Sequence, residues 1–185
     1  CSAQRKGWRR QRFAHEPRGI VISRQAPHRQ PGAGQQRAEI LVGAEGLVLV
    51  DTGLATSSAA LVAAVTRISE SPVRFVIVTH GHADHAGGNE AFTHQGAVVI
   101  GHESLREHGG QDPAVPAGNT EATVITLAAR PVLTTMEALA LHLNGDRLDA
   151  VHVADAHTSS DIVVRWSDAD VVALGPPAVG EGVDQ

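Results

Sequence analysis

Short apolar runs separated by turn residues make up most of the chain from residue 39 onward. The runs at residues 40–42 and 47–50 flank a turn that contains glycine, and this arrangement predicts a β-hairpin. Residues 56–69 carry apolar side chains at helical spacing and predict an amphipathic helix. The apolar run at residues 73–78 follows and predicts a buried strand. The chain therefore begins to alternate between strand and helix at this point.

The same alternation continues to residue 174. Short helices are predicted at residues 87–94 and 103–108. Apolar and polar positions alternate on both sides of Asn144, Gly145 and Asp146, which predicts a second hairpin. Further strands are expected at residues 97–100, 162–166 and 171–174. Strands interleaved with helices are typical of an α/β protein built in layers.

Residues 1–37 differ from the rest of the chain. They are rich in Arg, Lys, Gln, Gly and Pro, and we expect a poorly structured basic segment, with residues 20–22 as an edge strand. Residues 38–185 are expected to form the folded domain. Because the chain begins with Cys1 and not with Met, we expect a processed form or a fragment. The sequence does not decide between the bacterial cytoplasm and the periplasm, and it does not predict the oligomeric state.

Composition narrows the function classes. A chain of 185 residues is long enough for one domain with its own core. The net charge of −5 gives no general reason to expect nucleic acid as a partner. No apolar run approaches the roughly 20 residues that a membrane span needs. A single cysteine excludes an internal disulfide framework and a thiolate-rich zinc site.

Histidine is the exception in this composition, with 11 residues. His80, His82, Asp84 and His85 fall within six positions, directly after the predicted strand at residues 73–78. Imidazole nitrogen and carboxylate oxygen are good ligands for Zn²⁺. A histidine-rich surface loop is the plainer interpretation, but this spacing at the end of a strand rarely recurs by chance. The pattern therefore favours a metal site.

The stretch T-H-G-H-A-D-H at residues 79–85 resembles the T-H-x-H-x-D-H signature of the metallo-β-lactamase superfamily. The strand and carboxylate at residues 49–53, the Gly-Gly-Asn at residues 87–89 and the Ala-His-Thr at residues 156–158 are similar to that family as well. The resemblance covers about residues 39–174. It implies an α/β fold, the four-layer αββα metallo-β-lactamase sandwich, which we expect to be incomplete at its C-terminal end.

The resemblance also implies roles for individual residues. A first zinc ion would be held by His80, His82 and His157. Asp84 and His85 would contribute to a second ion. Asp51 would support the site from outside the ligands, since such carboxylates orient ligating histidines.

The implied reaction is hydrolysis by a metal-bound hydroxide, with Asp84 as the catalytic residue that orients the nucleophile. The substrate would be a small molecule of the ester, thioester, lactone or β-lactam type. The alternative is a catalytically impaired, metal-binding relic of the same family. A di-iron redox site and nucleic-acid processing also occur in the superfamily, but Pro176 and the absence of a basic groove pattern count against them.

Two departures from the family pattern lower the expectation for the second ion. Pro176 stands where many members place a bridging Asp, and no histidine follows His157. We therefore expect one or two zinc ions, with the second site weakened. Among the remaining histidines, we favour a helix-start or surface role for His102 and a place on the sheet surface for His142 and His152.

Overall fold

The fold is seen in a computed structural model that describes residues 37–109 and 125–174, together with the backbone of residues 9–15 and 18–24. Residues 110–124 and 175–185 lie outside the described part, and the departure at Pro176 falls there. No helix in the described ranges is long and apolar enough to cross a membrane.

A seven-stranded sheet forms the centre of the molecule. Its strands lie side by side in sequence order: β1 (Arg9–His15), β2 (Arg18–Arg24), β3 (Arg37–Val42), β4 (Leu47–Val50), β5 (Val73–Ile77), β6 (Val98–His102) and β7 (Leu133–Thr135). The first four strands pair in antiparallel fashion, and β4 to β7 pair in parallel. Parallel neighbours need crossover connections. Helices supply them here between β4 and β6.

Four helices belong to this first half of the chain: α1 (Ser58–Ile68), α2 (Ala83–Ala86), α3 (Asn89–Thr93) and α4 (Glu103–His108). Alternation within the strands sends one set of apolar side chains towards the helices. Leu47 and Leu49 of β4 share this core with Leu61 and Val65 of α1 and with Phe92 of α3. The predicted helix at residues 56–69 is thus confirmed, and its buried side chains are the ones at helical spacing.

A second, antiparallel sheet covers the other face of the first. It consists of β8 (Ala138–Leu143), β9 (Asp146–His152), β10 (Ile162–Trp166) and β11 (Val171–Ala173), in the order β11-β10-β9-β8. Val48 and Ile77 of the first sheet share a core with Leu148, Ile162 and Trp166 of the second. The alternating burial of β10 shows why a strand with one covered face reads as alternating apolar and polar positions.

The described residues therefore build three consecutive layers: helices, sheet and sheet. This arrangement confirms the α/β fold class. The outer face of the second sheet exposes Val151 and Val172, and no α-helix covers it among residues 125–174. A fourth, helical layer would have to come from outside the described residues, and the C-terminal incompleteness stays a prediction.

The amino-terminal segment contains more strand than its composition predicts. β1 and β2 pair with each other, and β2 also pairs with β3. Residues 20–22 thus lie in an internal strand and not at the edge of the sheet. Main-chain pairing does not depend on side-chain polarity, which explains why basic composition was a poor guide here. The domain boundary at residue 37 stays a prediction.

Asn144 joins the two hairpins across the sheets. Its side-chain amide accepts a hydrogen bond from the Glu45 N–H (2.8 Å) and donates one to the Gly46 carbonyl (2.9 Å). Its own N–H donates to the Glu45 carboxylate. Asn144 and Gly145 have φ of +58° and +67°, as the predicted two-residue turn requires. A Cβ on Gly43 would lie 2.1 Å from Asn144 Cγ, so only glycine permits this close contact.

Replacing Asn144 should measurably destabilise the fold. In Asn144→Ala, the left-handed backbone is strained and the two amide hydrogen bonds are lost, so we expect the free energy of unfolding to fall by about 2–3 kcal/mol. Asn144→Gly loses the same hydrogen bonds but tolerates the positive φ, and it should fall by about half as much. Urea unfolding measures both, and two variants of equal stability would contradict the backbone contribution.

Candidate metal centre

The carboxyl ends of the parallel strands bring the candidate residues together. Parallel strands end at the same edge of a sheet, so the loops after β4, β5 and β6 are neighbours. Asp51 directly follows β4, the stretch from Thr79 to His85 follows β5, and His102 ends β6. This edge of the sheet therefore carries most of the polar side chains singled out by the sequence.

His157 reaches the same place from the second sheet, in the loop between β9 and β10. The N–H of Ile162, at the start of β10, donates to the Thr79 carbonyl (2.8 Å), which ties the end of this loop to the residue before His80. The Thr158 N–H donates to the Asp161 carboxylate, and Ser104 Oγ donates to the Ser159 carbonyl (3.2 Å). These contacts fix a loop that would otherwise lie free at the surface.

Three imidazole rings converge at this junction. Nδ1 of His82 lies 3.2 Å from Nε2 of His80 and 3.0 Å from Nε2 of His157. The three residues each offer one ligand atom, and these atoms lie within 4.8 Å of one another. They form a group that could hold a metal ion. The structure thus places together the three histidines that the sequence assigned to a first metal.

Hydrogen bonding alone accounts poorly for this arrangement. A ring nitrogen carries either one proton or one lone pair in the ring plane, so Nδ1 of His82 cannot satisfy both neighbours. Tetrahedral zinc with bonds of about 2.0–2.1 Å places its nitrogen ligands roughly 3.3–3.4 Å apart. The two observed separations are close to that spacing. The donor set therefore fits a zinc-type ion.

Burial changes steadily across the cluster, since His80 is fully buried, His82 is half-buried and His157 is exposed. Burial, together with the charges of His85, His82 and His157, lowers the pKa of His80 from 6.5 to about 2. His80 is therefore neutral across the physiological range, and one of its ring nitrogens keeps a lone pair. The cluster opens to solvent on the His157 side.

Asp51 lies behind two of the histidines and is buried. Its carboxylate accepts hydrogen bonds from the Thr79 N–H (2.8 Å), the Thr79 hydroxyl (2.8 Å) and Nδ1–H of His85 (2.7 Å). Its backbone φ of +58° lies in the left-handed region, which Asp tolerates better than most residues. Asp51 thus holds His85 directly and Thr79 beside His80, and its role as the support of a metal site stays a prediction.

Thr79 extends this support to His80. Its hydroxyl has one proton, which it donates to Asp51, so its oxygen accepts from Nδ1–H of His80 at 3.1 Å. Nε2 of His80 is then the nitrogen with the lone pair, and it is the atom that faces His82. The sequence pattern alone predicts no role for Thr79. Its place in the motif, directly before the first histidine, was the available signal.

His85 and Asp84 form a second pair beside the cluster. The ring of His85 lies 4.1 Å from that of His80, and Nε2 of His85 lies 3.5 Å from Oδ2 of Asp84. Burial disfavours the charged form of His85, but the charge and hydrogen bond of Asp51, aided by Asp84, outweigh it and raise the pKa of His85. The Asp84 side chain is 49% exposed, so its carboxylate is open to solvent.

The histidines outside the cluster have other places. His102 caps α4, since its Nδ1 accepts from the Ser104 N–H (3.2 Å), which agrees with a helix-start role. His142 is exposed on β8. His152 was expected on the sheet surface, but it stacks on His102 with ring centroids 4.0 Å apart. Its position in β9 explains this. Side chains two residues apart in a strand lie on the same face, so His152 shares the face of the buried Leu148 and Ala150.

The model of the metallo-beta-lactamase superfamily matches residues 31–176. That match covers most of the chain, so the chain belongs to this superfamily. The family agrees with the fold and with the histidine cluster described above, and zinc is the metal that its members generally bind.

Among curated proteins, the chain is similar to a linear primary-alkylsulfatase from Pseudomonas sp. (strain ATCC 19151), with 38% identity over 58 residues. The matched stretch is 31% of this chain and 11% of the relative. The similarity therefore concerns one segment of a much longer protein.

Solved structures show the same fold at low identity. A metallo-beta-lactamase from Pontibacter korlensis shares 23% identity and a TM-score of 0.62, covering 86% of this chain and 68% of that one. The metallo-beta-lactamase IND-7 shares 18% and 0.65, covering 91% and 71%. The subclass B3 enzyme BJP-1 of Bradyrhizobium japonicum shares 20% and 0.58, covering 70% and 50%. The chain thus spans between 50% and 71% of the length of these relatives.

The stacked pair of histidines predicts a dependence of stability on pH. Burial and the charge of His152 lower the pKa of His102 below 6.5, against the opposing effects of the Met136 carbonyl, Glu103 and Glu107. The folded protein therefore binds a proton at His102 less readily than the unfolded chain does. The contribution of His102 is complete above about pH 6.5 and is lost as the pH falls below that value.

We expect the loss of stability between pH 8 and pH 5.5 to be smaller in His102→Asn than in the wild type, because Asn keeps a capping side chain but does not titrate. Denaturant unfolding at the two pH values measures the loss. His142→Asn is the matched control for removing an imidazole. An equal loss in wild type and His102→Asn would refute the assignment.

Proposed function

We propose that this chain is a zinc-dependent hydrolase of small molecules with an ester, thioester, lactone or β-lactam group. The observation that carries the proposal is the convergence of one nitrogen from each of His80, His82 and His157. Those nitrogens would hold the first ion. A bound zinc ion would supply a Lewis acid and would lower the pKa of a water molecule to about 7.

A second ion would be held more weakly by Asp84 and His85. The two side chains lie 3.5 Å apart at their nearest atoms, beside the first cluster. Among the described residues, no third His, Cys, Asp or Glu completes this pair as a separate ligand group. Two protein ligands bind an ion less tightly than three, so we propose that the first site fills before the second.

The proposed catalytic residue is Asp84. Its carboxylate is open to solvent, and the residue lies in the first turn of α2 next to His82, where it can orient an attacking water and accept its proton at Oδ2. Asp51 and Thr79 would act from behind by holding His80 and His85 with their Nε2 atoms towards the reaction side. His80 is buried, so the protein would exclude water from that side of the centre. His157 is exposed, so substrate would enter from its side.

Removing His82 should abolish the first site. We expect purified wild-type protein to contain about one to two zinc ions per chain, and His82→Ala to lose nearly all of it, because His82 Nδ1 is the atom that both other nitrogens approach. Elemental analysis after gel filtration measures the zinc. His142→Ala removes an exposed histidine from the outer sheet and should leave the zinc content unchanged.

Turnover of the zinc-loaded protein separates the two functions left open by the sequence. Hydrolysis of p-nitrophenyl acetate, a chromogenic β-lactam or a linear alkyl sulfate, lost with His82→Ala, would support the hydrolase. The alkyl sulfate is included because the curated relative is an alkylsulfatase. Zinc binding without turnover of any of the three would support the impaired relic. Folded wild-type protein without zinc affinity would refute both.

Asp51 should set the affinity for the metal. Asn tolerates the left-handed backbone at residue 51, so Asp51→Asn keeps the turn but removes a charge that three donors share. We expect zinc affinity to fall by about 10- to 100-fold, as is typical for the partners of ligating histidines. Competition with a chromogenic chelator measures it.

Asp155→Asn is the matched control, because Asp155 also has a positive φ (+53°) and lies close to His157 in sequence, but is exposed. Its zinc affinity should equal that of the wild type. A comparable loss in both variants would show that surface charge, and not the buried carboxylate, sets the affinity.

A further inference from the structure

His157 differs from the first histidine of the cluster in how its position is fixed. His80 is buried and hydrogen-bonded to Thr79, whereas His157 is exposed. The ring of His157 makes T-shaped contacts, with its centroid 4.7 Å from that of His82 and 5.2 Å from that of His80. An exposed side chain is held by few packing contacts, so the main chain beside it largely determines where the imidazole lies.

The carboxylate of Asp161 holds the main chain directly after His157. Asp161 is buried, and its Oδ2 accepts the N–H of Thr158. Hydrogen bonds from a main-chain N–H to a carboxylate are roughly twice as strong as those between neutral groups. Burying a carboxylate without such bonds is costly, so the buried side chain favours this one conformation of the loop. Asp161 therefore restrains the residue next to the imidazole.

The main chain of Asp161 is itself anchored in the second sheet. Its carbonyl accepts the N–H of Val153 (2.9 Å) and Nδ1–H of His152 (3.0 Å). These two hydrogen bonds close the loop of residues 153–161 at its base. The side chain of Asp161 thus starts from a fixed point and reaches back along the loop to the residue after His157.

Asp51 and Asp161 have corresponding places in the two sheets. The Asp51 carboxylate accepts the N–H of Thr79, which directly precedes His80, and the Asp161 carboxylate accepts the N–H of the residue that directly follows His157. Asp51 lies after β4 of the first sheet, and Asp161 lies before β10 of the second. Each sheet therefore supplies a buried carboxylate beside the histidine that it contributes.

We propose that Asp161 is the positioning residue for His157 and thereby raises the affinity of the cluster for its first ion. The inference rests on the proposed function, in which His157 is the third ligand. Asp161 is not among the residues whose ligand atoms converge, so it acts through the main chain. A ligand that is already held in place loses less conformational freedom when the ion binds, and binding is tighter for that reason.

Three substitutions separate the position of the carboxylate from its charge. Asp161→Asn keeps an oxygen that can accept from Thr158 but removes the charge, Asp161→Glu keeps the charge but moves it by one methylene, and Asp161→Ala removes both. Competition with a chromogenic chelator measures the zinc affinity. We expect it to fall about ten-fold in the Ala and Glu variants, the lower end for partners of ligating histidines, and at most about three-fold in Asp161→Asn.

Asp146→Ala is the matched control. Asp146 is also buried and accepts the main-chain N–H groups of Arg147 (2.7 Å) and Asp168 (3.0 Å), but it lies at the opposite end of β9 from the loop of His157. Its removal should leave the zinc affinity unchanged. Equal losses in Asp161→Ala and Asp161→Asn would assign the effect to charge, and equal losses in Asp161→Ala and Asp146→Ala would assign it to general stability. Either result would overturn the proposal.

A second measurement needs no metal. In zinc-free protein with ¹³C-labelled histidine rings, NMR relaxation reports the mobility of each imidazole. Asp161→Ala and Asp161→Glu should make the His157 ring more mobile and leave the His80 ring unchanged, whereas Asp161→Asn should keep both as in the wild type. Unchanged mobility of the His157 ring, or equal loosening of the His80 ring, would overturn the proposal. Wild-type protein that binds no zinc would refute the hydrolase, but the mobility of His157 would still decide its positioning by Asp161.

Discussion

The arrangement of the histidines depends on one buried carboxylate. Asp51 receives three hydrogen bonds at the end of β4, from the main chain and hydroxyl of Thr79 and from His85. A buried charge is tolerated only when it is well hydrogen-bonded, and a left-handed non-glycine residue persists only when its surroundings hold it. Both conditions are met here by the same contacts. The position of Asp51 therefore fixes the loop after β5 and the orientation of two imidazoles at once.

Thr79 connects this carboxylate to the rest of the fold. Its hydroxyl lies between Asp51 and His80, and its carbonyl accepts from Ile162 in the second sheet. The packing of the two sheets, with Trp166 and Ile162 against Ile77, thus acts on the same residue that orients His80. Core packing and histidine geometry are joined through a few main-chain hydrogen bonds and not through the three imidazoles alone.

Much of this could be predicted from the sequence because its signals are local. His80, His82 and His85 lie within six positions after a strand, and the hairpin at Asn144 has its own turn residues. The role of Thr79 could not be predicted, since it depends on which atom a hydroxyl faces. The internal position of β2 depends on main-chain pairing, which leaves no side-chain pattern. The inward position of His152 follows from its even spacing from Leu148 and Ala150 along β9. The polarity of the imidazole favoured a surface position and led to the wrong prediction.

The division of the three imidazoles between two sheets has a thermodynamic consequence. His80 and His82 lie in the loop after β5 of the first sheet, and His157 lies in the connection between β9 and β10 of the second, more than seventy positions later in the chain. Their nitrogens meet only after both sheets have docked, so the unfolded chain presents no equivalent trio. An ion held by all three would fasten the layers to each other, and its binding free energy would add directly to the folding equilibrium. The metal centre would then stabilise the packing of the two sheets as well as supply the chemistry.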